Sequence, residues 1–127
     1  MPTGPELNDD RYRNFRLSVQ GLATEVGTGT AAAGAVTVSD LVGLVTTESL
    51  TTAQNAIYTL TITNTKVAVG DVVFASVGNG TNTQGTPVIT TINVAANSIE
   101  IKVSNLHASA QALNGTLRIR FMVIKAL

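Results

Sequence analysis

The stretch Tyr58-Thr59-Leu60-Thr61-Ile62-Thr63 alternates large apolar and hydroxyl side chains one for one. A period of two built from β-favouring residues marks a strand with one face buried and the other wet. The pattern repeats further along the chain. Ile99, Ile101 and Val103 alternate with Glu100, Lys102 and Ser104, and Leu117, Ile119, Phe121 and Val123 alternate with Arg118, Arg120, Met122 and Ile124. Residues 72–77 form a nearly unbroken apolar run, and residues 88–94 alternate with Thr90 among the inward positions. Turn-forming residues separate these runs at Asn64-Thr65, residues 78–85, Ala95-Ala96-Asn97 and Asn114-Gly115. Residues 50–56 offer at most one helical turn and read as a loop. Short strands at this spacing, with no helical period between them, predict an all-β fold: an antiparallel β-sandwich, jelly-roll-like, or a small β-barrel.

Composition narrows the function. The chain has 127 residues, and 44% of them are hydrophobic but only 13% charged, against about 25% charged in an average soluble domain. Eight Lys and Arg balance eight Asp and Glu, so no cationic excess is available to neutralise nucleic-acid phosphates or an anionic membrane surface. Absence of cysteine excludes a disulfide framework and a thiol nucleophile, and a single histidine excludes an ordinary multi-histidine metal site within one chain. No run approaches the roughly 18 apolar residues of a membrane-spanning helix. The N-terminal residues lack the order of a secretory signal, which points to assembly in the cytoplasm.

Charge is also unevenly placed. Glu6, Asp9, Asp10, Arg11, Arg13 and Arg16 fall within the first sixteen residues. Residues 1–20 read as an arm outside the core, in which Arg11, Tyr12, Arg13, Phe15 and Arg16 are candidates for contact with a protein partner. A small-residue stretch follows, Gly27-Thr28-Gly29-Thr30-Ala31-Ala32-Ala33-Gly34-Ala35, without a period and readable as a linker or loop. The chain therefore divides into an arm and linker, residues 1–35, and a β domain, residues 36–127. The last strand ends apolar on both faces, so Phe121, Met122 and Ile124 are candidates for a subunit interface. A surface coated by threonine instead of Lys and Glu favours a homo-oligomer.

Sites of chemistry are sparse. His107 has no nucleophile elbow to serve, and it reads as a loop histidine bonded to backbone; three copies on a three-fold axis could alternatively present one His each to a metal. Asp40, Glu48, Asp71 and Glu100 are isolated, whereas glycoside hydrolysis needs two carboxylates facing across a cleft. The glycine-rich residues 78–85 fail the spacing of a phosphate loop and read as a polar connection with a contact-forming tip. No catalytic residue, cofactor, metal or small-molecule substrate is expected.

Two segments carry a resemblance: Gly78-Asn79-Gly80-Thr81-Asn82-Thr83-Gln84-Gly85-Thr86-Pro87 and Asn105-Leu106-His107-Ala108-Ser109-Ala110-Gln111-Ala112-Leu113-Asn114-Gly115-Thr116-Leu117-Arg118-Ile119. Residues 44–125 resemble small β-rich virion proteins of tailed bacteriophages, several of which look like capsid decoration (cement) proteins. The resemblance implies a non-enzymatic homotrimer on the capsid surface of the virion, bound to the major capsid protein. The alternative within the particle is a head-fibre, tail or baseplate module binding a host glycan through residues 78–85.

Overall fold

The computed structural model describes residues 26–126. They form eight strands and, among the described residues, no helix: β1 (Val26–Thr30), β2 (Ala35–Thr37), β3 (Val42–Thr46), β4 (Ile57–Thr63), β5 (Val72–Asn79), β6 (Pro87–Ala95), β7 (Ser98–Asn105) and β8 (Leu117–Ile124). Two four-stranded sheets, β1-β3-β8-β5 and β2-β4-β7-β6, face each other as a sandwich and do not close into a barrel.

The first six strands alternate between the sheets, and within each sheet they run the same way. Strands β7 and β8 return in the opposite sense, each inserted between two of them. The sheets are consequently mixed and not purely antiparallel. Strand β1 lies parallel to β3, β2 lies parallel to β4, and every pairing with β7 or β8 is antiparallel.

The alternating residues of β4, β7 and β8 fill the space between the sheets. Leu60, Ile62, Ile99, Ile101, Val103, Leu117, Ile119, Phe121 and Val123 are all buried there, with Val45 from β3 and Leu50 and Leu113 from loops. Two details depart from the sequence reading. In β6 the register slips between Ile89 and Thr91, a bulge that turns Thr90 outward and puts Ile89, not Val88, on the inner side. The second departure is that the small-residue stretch contains all of β1 after Val26 and the first residue of β2. Side chains at Gly27 and Gly29 would collide with Val38 and Val36, so glycine is what lets the incoming chain lie this close. A two-residue turn with Ala33 and Gly34 both at positive φ then carries the chain from one sheet to the other. Among the described residues the sheets thus begin at Val26, ten residues before the expected boundary.

Two buried asparagines hold the loops at opposite ends. Asn105 donates through Nδ2 to Thr52 O (3.0 Å) and Gln111 O (2.7 Å), and its Oδ1 accepts from Thr86 N (3.0 Å) and His107 N (3.2 Å). At the other end Asn64 donates to Asp40 O (2.7 Å), and its Oδ1 accepts from Lys66 N (3.0 Å). Its backbone bonds Asn97 O and Val67 N. Asn105→Ala strands two backbone acceptors and two donors at once. It is expected to cost about 3 kcal/mol in urea unfolding, with an unchanged m value.

Candidate interaction surface

The outer wall of the β1-β3-β8-β5 sheet is ordered in rows. Val26, Val42, Met122 and Phe74 stand side by side across all four strands, and Val72 pairs with Ile124 beyond them. These side chains face solvent: Phe74 is 57% exposed, Val72 50% and Ile124 46%. The next row carries Thr28, Leu44, Arg120 and Ser76, and the one after it Thr30, Thr46, Arg118 and Gly78. The wall is therefore apolar at one end and cationic at the other. Arg118 and Arg120 sit about 7 Å apart on one strand face. Among the described residues the three lysines each have a carboxylate partner, Lys66 with Asp40, Lys102 with Glu100 and Lys125 with Asp71, whereas neither arginine does. A shallow open depression lies between Phe74, Met122 and Arg120.

The opposite outer wall is different in kind. Thr59, Thr61 and Thr63 of β4 stand beside Lys102, Glu100 and Ser98 of β7, followed by Thr91, Asn93 and Ala95 of β6. Glu100 accepts from Asn93 Nδ2 at 3.0 Å and pairs with Lys102 at 3.8 Å, so the charges on that wall are matched locally.

Sequence-predicted residues fall on both sides of this picture. Met122 and Ile124 lie on the open wall, available to a partner. Phe121 does not: its ring is 2% exposed and fills the core over Gly43, where a side chain would overlap the ring. It belongs to the fold and not to a subunit interface, because β8 alternates strictly to its last residue. Arg11, Tyr12, Arg13, Phe15 and Arg16 lie outside the described residues. The strand-run reading missed Val26 and Val42 as members of the apolar row; register alone brings them beside Met122.

The remaining candidates are dispersed. His107 sits in the β7–β8 loop with its Nδ1 accepting from Ser109 N at 3.1 Å. Glu48 accepts from Tyr58 Oη and Gly34 N, both at 2.8 Å. Burial, reinforced by that carboxylate, pushes the Tyr58 hydroxyl far above the usual phenol range, so it remains a donor. The glycine-rich connection after β5 is clamped to residues 114–116 by reciprocal bonds. Thr81 N donates to Thr116 Oγ1 and Thr116 N to Thr81 Oγ1, both at 2.9 Å. Thr83 N donates to Asn114 Oδ1 (2.7 Å), and Asn114 Nδ2 donates back to Thr83 Oγ1 (2.8 Å). Asn82 Nδ2 donates to Asn79 Oδ1 at 2.9 Å.

At the apolar end of the wall a latch joins β5 to β8. Asp71, just before Val72, accepts from the Lys125 ammonium, from Ala126 N (2.9 Å) and from Ala68 N (2.8 Å). The Lys125 bond, then the two backbone bonds, lower its pKa from 3.8 to about 2. Comparison with protein-family models, with curated proteins and with solved structures gave no match.

The latch has a defined acid response. A carboxyl whose folded pKa lies below its unfolded one stabilises the fold above the unfolded value and loses that contribution as pH falls. The melting temperature is expected to drop between pH 4 and pH 2, the interval set by the ordinary 3.8 and the lowered value of about 2. Asp71→Asn should lower it at pH 7 and flatten that part of the profile, as read by circular dichroism melts.

Proposed function

We propose that this chain is a structural, non-enzymatic virion protein of a tailed phage, a decoration protein that binds the assembled head as a trimer and stabilises it. The observation that carries this reading is the outer wall of β1-β3-β8-β5. It offers an apolar row four strands wide beside two arginines that lack carboxylate partners among the described residues. Such a wall suits a protein surface presenting apolar side chains next to carboxylates. The resemblance of residues 78–87 and 105–119 to small virion proteins supports the same reading.

The physics of the role requires no reactive centre. A protein that binds the assembled shell and not its separated subunits stabilises the shell by mass action, by about 2.7 kcal/mol at a hundredfold excess over Kd. Several modest contacts per trimer add through effective concentration. A rigid sandwich keeps the ordering cost of docking low, since few groups must be fixed on binding.

Titration of the purified protein onto expanded, undecorated capsids is expected to saturate and to raise the temperature at which the capsids disrupt. Replacing both arginines (Arg118→Glu with Arg120→Glu) should weaken that binding at least about tenfold, equivalent to about 1.4 kcal/mol. Removal of residues 1–20 should also weaken it. Absence of saturable capsid binding overturns the proposal, and glycan binding without capsid affinity would assign the chain to a fibre, tail or baseplate module instead.

A further inference from the structure

The two edges of the sandwich are built differently. At the β1/β2 side the turn at residues 32–35 joins the two edge strands directly. At the β5/β6 side the inward residues Val73, Ala75 and Val77 of one sheet and Ile89, Ile92 and Val94 of the other are only partly buried. Their counterparts in the central strands β7 and β8 are fully buried. The core is exposed as a seam between two edge strands.

The strands that border this seam carry no charge. Neither Val72–Asn79 nor Pro87–Ala95 contains a single Asp, Glu, Lys or Arg. Edge strands that remain unpaired are normally guarded by charges, proline, bulges or shortness. All four edge strands lack charge, and they differ in the other guards. Strand β6 begins at Pro87 and is bulged at Thr90, β2 has three residues and β1 five. Strand β5 has none of these guards: eight residues long, it pairs with β8 in unbroken register and, among the described residues, with no other strand. Alternate N–H and C=O groups on its free side point away from the sheet.

We infer that copies of this chain associate through the β5/β6 side, β5 offering its free backbone edge and the two strands their shared apolar seam. A second copy is the occupant that these features fit. A strand edge supplies both donors and acceptors, so like edges complement each other without a dedicated partner sequence. With no charge on either strand, two copies meet without burying an ion or opposing like charges. The size is adequate too. The seam is about 26 Å long and, with one strand spacing on each side, about 20 Å wide. Flanking Phe74, Val72 and Val88 are each exposed and extend it, towards the roughly 800 Å² per partner of a standard stable interface. This inference does not depend on what the assembled protein binds.

Light scattering on the purified full-length chain is expected to give a multiple of 13.1 kDa. Phe74→Lys, an exposed position whose change spares the core, should weaken self-association at least about tenfold. Thr61→Lys, on the outer wall of the other sheet, should leave it unchanged. Because the chain has no cysteine, Ser76→Cys and Thr61→Cys give an independent readout that needs no destabilising change. A thiol cross-linker spanning about 10 Å, two strand spacings, should join copies through position 76 and not through 61. A monomeric wild type, an oligomer indifferent to Phe74→Lys, or cross-links through 61 and not 76 would each overturn the inference. A dimer cross-linked through 76 upholds it and overturns only the three-copy stoichiometry proposed above.

Discussion

Backbone groups buried where the loops leave this sandwich must find partners away from water, and at each end one buried asparagine side chain bonds several of them. A buried amide left unpaired costs more than a hydrogen bond gains, so the arrangement is constrained at both ends by carboxamides that donate and accept together. Asn105 joins three loops at one end, and Asn64 joins the connections at the other. Neither uses a charge. A chain with 13% charged residues can close its ends in this way because the carboxamide satisfies carbonyls and amides at once, without the desolvation penalty of an ion.

With the ends fixed, the outer surfaces take distinct characters. The β2-β4-β7-β6 wall is a threonine face with its lysine and glutamate matched to each other. The β1-β3-β8-β5 wall grades from apolar to cationic, and the β5/β6 side leaves the interior partly uncovered. The differences follow from period-two alternation acting on strands whose outward residues differ: Thr in β4, but Val72 and Phe74 in β5 and Met122 and Ile124 in β8. The latch from Asp71 to Lys125 and Ala126 ties β5 to β8 where the apolar residues lie, so that wall is presented by strands fixed at their ends.

Alternation made β4, β7 and β8 legible before any coordinates, down to which residues face inward, and the turn at Ala96-Asn97 followed from its residue types. What stayed illegible has separate physical causes. Strand β1 escaped because its inward positions are glycines, chosen by the closeness of Val36 and Val38, and a strand with nothing on one face has no hydrophobic period. The phase of the first half of β6 escaped because one bulged residue reverses the inward and outward sets ahead of it, whereas Ile92 and Val94 face inward as alternation has them. Parallel pairing escaped because periodicity reports which face a residue takes and not the direction of its neighbour. The candidate surface was half visible: Met122 and Ile124 stood out as apolar residues at outward positions. Their continuation through Val26, Val42 and Phe74 exists only in the register, and Phe121 was misassigned because a strand apolar on both faces does not say which face has a partner already.

The clamp between the β5–β6 connection and residues 114–116 bears on chemical ageing. Asn-Gly pairs lose ammonia when the glycine nitrogen attacks the asparagine carboxamide and closes a succinimide ring, and the chain has two of them, Asn79-Gly80 and Asn114-Gly115. In the folded protein the Gly80 nitrogen is held by Thr116 O at 2.9 Å, and both ends of the Asn114 carboxamide are bound to Thr83. Ring closure at either pair requires those bonds to open first, so the lifetime of these asparagines is tied to local unfolding and not to their exposure.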